Sequence, residues 1–314
     1  MLVSTILCSH ILDKSLIKSV KSILDQDFFD HELILLFDNP DIEEFRKLRE
    51  IINKENAKKI NLIFVQNEKN IGLTISLNKA INLSNGVFIM RQDSDDISEK
   101  DRISKLVAYL KKYPLKNLVY SNVKIIDELD NLTKLKKNYL IINKFFNSYN
   151  YRNSISHPSI MFRKDIFYKV NQYDERFFVS QDYDLIHKFI KDSRYSIGKV
   201  NEYLYKLRYS KNSISVKFNK DQLKNSTIII FKNYYKDYKK KFENMNSTDQ
   251  MFSFIKNKNK NIIQNSIYYS YIFDLKIPLR LIFNPIFVII IMFRYIFHPN
   301  LFLKRLINKL NIKN

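Results

Sequence analysis

"GVFIMRQDSDDISEKDRISKLVAYLKKY", residues 86–113, is the stretch on which the fold turns. An apolar run climbs to Met90 and stops at Arg91, and three carboxylates, Asp93, Asp95 and Asp96, then crowd into four positions. An amphipathic segment of helix length follows, from Glu99 to Tyr113. A buried strand, an acidic turn and a covering helix are the parts of one β–α unit.

The same unit repeats upstream. "LVSTILC" (2–8) precedes "DKSLIKSVKSILDQ" (13–26), where Leu16, Ile17, Val20, Ile23 and Leu24 share one helical face behind an aspartate cap. "ELILLF" (32–37) precedes the helix-length segment 41–53, and "INLIFV" (60–65) precedes 71–84. Four such pairs predict an α/β domain with a mainly parallel sheet covered on both faces. Ligands of such sheets bind beyond the carboxyl ends of the strands. Ser9, Asp38 and the acidic turn all stand at those ends. The chain has only three glycines, at 72, 86 and 198, and none forms a dinucleotide-binding or P-loop signature.

Composition limits the rest. The chain has 314 residues, is 45% hydrophobic, and carries a formal net charge of +21. That charge is uneven: residues 201–314 hold 21 Lys and Arg against 6 Asp and Glu, whereas residues 1–200 hold 32 against 26. A basic tail behind a nearly balanced front suggests an anionic membrane or another polyanion near one end. A boundary is expected near 215, separating 1–215 from a basic helical region, 216–314, in which "DQLKNSTIIIFKNYYKDYKKKF" (221–242) reads as one helix. Within "IPLRLIFNPIFVIIIMFRYIF" (277–297) the uninterrupted apolar core is too short to span a bilayer. With the basic segment behind it, 277–313 reads first as an element lying on an anionic leaflet, with a buried core helix and a tilted or re-entrant membrane segment as the other readings. The single cysteine, Cys8, and an N-terminus without a signal-peptide pattern point to the cytoplasm.

Two carboxylates one residue apart on a turn suit a hard divalent cation, and magnesium binds through one or two carboxylates plus phosphate oxygens. The acids would then serve a phosphorylated ligand through the cation that neutralises it. The bland reading is that they cap a helix beginning near Ser98.

Residues 90–102 resemble the segment A-R-x-D-x-D-D-x-x-x-P-x-R of family 2 glycosyltransferases, the inverting, nucleotide-sugar-dependent enzymes of the GT-A fold. Other segments agree in order: Ser22 to Gln26 with S-[IL]-L-x-Q, "HELILLFDNPD" (31–41) with E-I-I-V-V-D-D-G-S-x-D, and "QDYDLI" (181–186) with [EQ]-D-Y-[DE]-L-W. The resemblance runs from about residue 2 to 215. It implies that Asp38 contacts the donor base with Ser9 and Asn70 lining that pocket, that Asp93 meets the nucleotide, and that Asp95 holds Mg2+ or Mn2+. It further implies that Arg91 orients the aspartates or a phosphate, and that Asp182 is the catalytic base. The donor would be a UDP-, dTDP- or GDP-sugar and the acceptor a saccharide, lipid-linked in surface polysaccharide synthesis on the inner face of the cell membrane. No tryptophan is present, so the Q-x-x-R-W element of processive members is missing and one sugar per encounter is expected. Phe37 replaces the first acid of the D-D pair and Ser210 a histidine, which leaves Arg208 as the phosphate candidate there. His157 reads equally as core or acceptor contact. A nucleic-acid-binding protein stacking Tyr234, Tyr235 and Tyr238, and a nucleotidyltransferase using the same acids, are the rival readings; of these partners, nucleic acid is not expected.

Overall fold

The structure, a computed structural model, describes residues 1–145, 148–153, 155–191, 196–210, 217–234 and 236–258. The expected tail element 277–313 lies outside them. Three strands, β1 (Val3–Ser9), β2 (His31–Phe37) and β3 (Asn61–Gln66), alternate with α1 (Lys14–Leu24), α2 (Ile42–Glu55) and α3 (Leu73–Asn82). Next come β4 (Phe88–Asp93), the two-residue β5 (Ile97–Ser98) and α4 (Arg102–Lys112). Asp13 and Asp41 cap α1 and α2, accepting from Leu16 N at 2.8 Å and Glu44 N at 2.9 Å.

After Lys112 the alternation gives way to β6 (Lys116–Ile126), β7 (Leu132–Lys136) and a separate hairpin, β8 (Leu140–Phe145) with β9 (Ser148–Asn153). A 3-10 turn (His157–Ser159) leads to β10 (Ile160–Arg163) and α5 (Lys164–Lys169), followed by α6 (Gln181–Lys191) and β11 (Ser196–Arg208). The main sheet runs β3-β2-β1-β4-β10-β6-β11-β5, with β7 added to β6. β1, β2, β3 and β4 pair in parallel, and β10 is the antiparallel strand between β4 and β6.

Both faces are covered, so β1 and β2 are buried along their whole length. One core joins the sheet to α1, α2 and α4; the other joins it to α3, α5 and α6. Along the segment 221–242, expected as a helix, the described residues are helical on both sides of position 235, as α7 (Asn219–Tyr234) and α8 (Lys236–Glu243), and α9 (Thr248–Lys258) follows. One compact unit runs from Met1 to Lys258.

At the amino-terminal rim, Glu32 is fully buried and accepts from Ser4 Oγ (2.5 Å), Asn85 N (2.6 Å), Asn85 Nδ2 and Asn61 Nδ2 (both 3.1 Å). Gly86 N in turn donates to Ser4 Oγ at 2.7 Å, and a Cβ on Gly86 would lie 2.5 Å from both Ser4 N and Oγ. Gly86→Ala is therefore expected to lower the unfolding free energy by about 1–3 kcal/mol. Urea denaturation checks this: the midpoint should fall with the slope unchanged.

Candidate active site

Parallel pairing carries the polar strand ends to one rim. Ser9 is in register with Phe37, and Cys8 with Asp93. Because the strand order passes from β2 to β1 to β4, the rim between β1 and β4 is where chain connections diverge, the usual crevice for a ligand.

The acidic turn sits on a buried scaffold. Arg102, fully buried, donates from Nη1 to Gln92 Oε1 (3.0 Å) and Ser98 Oγ (2.8 Å), and from Nη2 to the carbonyls of Arg91 (2.9 Å) and Pro158 (2.5 Å). Its guanidinium lies 4.5 Å from the centroid of the Tyr205 ring. Gln92 donates to Ser19 Oγ (2.9 Å) and to the carbonyl of Asp96 (3.0 Å). Burial draws the Arg102 pKa down to about 10, which leaves the group charged at neutral pH.

The three acids are held differently. Asp93 Oδ1 pairs with Nη2 of the buried Arg91 at 2.6 Å. Asp96 is buried and accepts at Oδ1 from Arg208 N at 2.6 Å, and it also bonds the Tyr205 hydroxyl. The helix-cap reading of Asp96 is thereby corrected: α4 starts at Arg102, and Ser98 belongs to β5. Asp95 is exposed. Its carboxyl is pushed up to about 6, by surrounding protein first and by the charge of Asp93 second. Since Asp95 faces solvent, the like-charge repulsion is the cause the geometry supports best.

Arg208 does not offer a free guanidinium. It donates from Nε to Asp95 O (2.8 Å), from Nη1 to Asp127 O (2.7 Å) and from Nη2 to the Asp130 carboxylate, which Lys18 also engages. Its bonds brace the turn from the end of β11.

At the same rim, Asp38 follows β2 and accepts from Asn67 Nδ2 (2.8 Å), Ile71 N (2.9 Å) and Gly72 N (2.9 Å). Three of its lone-pair directions therefore brace the loop that carries the exposed Asn70. Gly72, at φ 87°, takes a conformation that L side chains rarely adopt. Ser9 Oγ donates to Ile11 O at 2.9 Å, closing the turn after β1.

Across the rim, Asp182 lies in the first turn of α6. Burial raises its pKa above the ordinary value, the Tyr183 and Asp182 backbone N–H groups restrain that rise, Asp93 adds to it, and Arg91 opposes it. Asp182 is thus within electrostatic reach of the acidic turn. Tyr173 joins the same group; its hydroxyl meets His157 Nε2 at 2.8 Å. Burial and then Arg91 hold His157 well below its usual pKa, so the ring is neutral and packed against Tyr173. Cys8, buried beside Arg91, has its thiol pushed up to about 12 by burial and stays protonated.

Among the described residues no group of three or more His, Cys, Asp and Glu is placed to hold a metal ion. Asp95, with an exposed carboxylate, fits a cation that takes its remaining ligands from phosphate and water. Arg102 and Gln92 were missed as site residues in the sequence, although Arg102 stands at the closing arginine of the matched segment.

The Glycosyl transferase family 2 model matches residues 4–170, a little over half of the chain. The protein belongs to glycosyltransferase family 2 and has its GT-A fold. It is 34% identical over 197 residues to an uncharacterized glycosyltransferase of Methanocaldococcus jannaschii, covering 62% of this chain and 66% of that one. To the O-antigen biosynthesis glycosyltransferase WbnJ of Escherichia coli it is 32% identical over 187 residues, 59% of this chain and 70% of the relative. The crystal structure of S. aureus TarS residues 1–349 with UDP-GlcNAc superposes with a TM-score of 0.57 at 16% identity, covering 90% of this chain and 77% of that one.

Asp93→Asn removes the nearest like charge and is expected to return the Asp95 carboxyl towards the ordinary aspartate range. Carboxyl carbon NMR titration of both proteins measures it; an Asp95 midpoint that stays near 6 in the variant would contradict the repulsion.

Proposed function

We propose that the protein transfers a single sugar, with inversion, from a nucleotide-sugar to a saccharide acceptor, lipid-linked, in bacterial surface polysaccharide synthesis. The observation that carries this is the pair of opposed carboxylates: Asp95 open to solvent on the acidic turn, and Asp182 at the start of α6 within electrostatic reach of Asp93. A relative in O-antigen biosynthesis and a structural neighbour crystallised with UDP-GlcNAc support the substrate class.

Asp182 takes the proton of the acceptor hydroxyl as that oxygen bonds to the anomeric carbon, and the bond to the nucleoside diphosphate breaks on the opposite face. When ionised, a carboxyl whose pKa burial raises is a better proton acceptor than an ordinary aspartate. Asp95 is the residue that would hold Mg2+ or Mn2+, which when bound supplies positive charge against the leaving diphosphate. Arg91 keeps Asp93 turned to the nucleotide. Asp38 and Ser9 shape the base pocket, mainly by fixing the loops around it, and Asn70 contributes from the loop that Asp38 braces. Residues 216–314 supply the surplus basic charge, and the segment 277–313, outside the described residues, is the part that would meet the anionic inner face of the cell membrane and favour a lipid-linked acceptor. Among the described residues no helix is long and apolar enough to cross a membrane.

The test is transfer or donor hydrolysis with UDP-, dTDP- and GDP-sugars, with magnesium, manganese or EDTA. Asp182→Asn should lower kcat by about 100-fold or more, and Asp95→Ala should abolish metal stimulation. Full activity in both variants would sink the site assignment. At metal concentrations below saturation the rate should also fall as pH drops through about 6, because protons compete with the cation for Asp95. A rate that stays flat to pH 4.5 would contradict that dependence. Release of pyrophosphate instead of a nucleoside diphosphate would favour a nucleotidyltransferase.

A further inference from the structure

Lys232 on α7 lies outside both the family match and the expected catalytic region, yet it reaches a buried acid pair beside Asp182. Its Nζ donates to Asp174 Oδ2 at 2.9 Å and to Asp184 Oδ1 at 3.0 Å. Asp184 is fully buried and two residues from Asp182 on α6; the Lys232 side chain retains only 14% exposure. Arg176 closes the other side of Asp174 with a two-point pair, Nε to Oδ1 at 2.7 Å and Nη2 to Oδ2 at 2.6 Å. Lys188 Nζ, on α6 itself, stands 2.8 Å from Asp184 Oδ2. Lys232 is the partner that reaches Asp184 from outside α6.

The same helices grip the loop leading to Asp182. Asn225 Nδ2 donates to Val179 O at 2.8 Å, and Arg176 Nη1 donates to the carbonyls of Phe242 (2.7 Å) and Met245 (2.9 Å). From the opposite side, Thr74 Oγ1 donates to Phe177 O at 2.7 Å and Asn78 Nδ2 to Tyr173 O at 3.0 Å. At the end of the loop, Ser180 stands at φ 68°, a left-handed conformation that costs a non-glycine residue energy and that its surroundings must hold. The Asp184 N–H donates to Ser180 O at 3.1 Å, fastening that corner to α6.

We infer that Lys232 is a positioning residue for sugar transfer: by holding Asp184 it sets where the first turn of α6 carries Asp182. This rests on Asp182 acting as the base. It makes α7 and α8 part of the acceptor side of the site and gives one lysine of the basic region a structural partner within the protein.

Lys232→Met and Lys232→Arg, in the full chain, are assayed for hydrolysis of the UDP-, dTDP- and GDP-sugar panel, with Asp182→Asn in parallel. Binding of UDP, GDP and dTDP with MnCl2 is measured by calorimetry, and amide hydrogen exchange is followed across 174–187. Lys232→Met should lower kcat about tenfold or more, as expected of a displaced catalytic group. Donor KM and nucleotide binding should stay within about twofold, because the donor rim does not touch Lys232. Exchange at 180–187 should quicken, and Lys232→Arg should recover most of the kcat. If Lys232→Met does not fold, the paired change Asp184→Asn with Lys232→Met removes both buried charges and should show the same kcat loss. Wild-type kcat in a folded Lys232→Met or in the paired variant, with Asp182→Asn inactive, overturns the positioning role alone. An active Asp182→Asn overturns the base assignment itself.

Discussion

Four segments distant in sequence meet on one buried guanidinium. Arg102 satisfies Gln92 on β4, Ser98 on β5 and the carbonyl of Pro158 before β10, and it stacks on Tyr205 of β11. Burying a charge is costly unless its donors are met, and here four acceptors and an aromatic face offset the guanidinium, with Nε alone left without a hydrogen-bond partner among the described residues. Removing any of these partners would leave polar groups unpaired beneath the acidic turn. The position of that turn therefore depends on the whole sheet being assembled.

Above this scaffold the acids divide by environment. Asp93 is tied to Arg91, Asp96 is drawn inward to Arg208 and Tyr205, and Asp95 is left facing outward. Two of the three carboxylates serve as supports, so that the third can present its charge without collapsing onto the protein. Glu32 at the far rim shows the contrasting case: four donors saturate it, and nothing is left for a ligand. Burial and partner count, more than residue type, separate a structural acid from an available one.

The α6 corner follows the same logic with opposite placement. Asp184 is buried and Asp174 partly so, and Lys232, Lys188 and Arg176 balance them, while Asp182, two positions from Asp184, keeps partial exposure. Some of the basic charge of the rear helices is thus internal, where it neutralises acids that carry the α6 corner. The charge asymmetry of the chain has at least two sources.

Much of the architecture was legible along the chain. Continuous apolar runs placed the first four strands and the 3.6-residue period their helices, and parallel order alone brings Ser9, Asp38 and Asp93 to a common rim, because every such strand ends at the same edge. The resemblance in the acidic segment pointed to the family. What a linear reading missed has one cause. Periodicity tells which face of an element is buried but not which distant side chain it meets. Arg102 and Pro158 are 56 positions apart, Asp96 and Arg208 112, and Asp184 and Lys232 48. Those partners were chosen by the strand order and by the helices packed over it, so only tertiary structure decided that Arg208 braces the turn, that Asp38 braces a loop, and that Lys232 belongs beside Asp184.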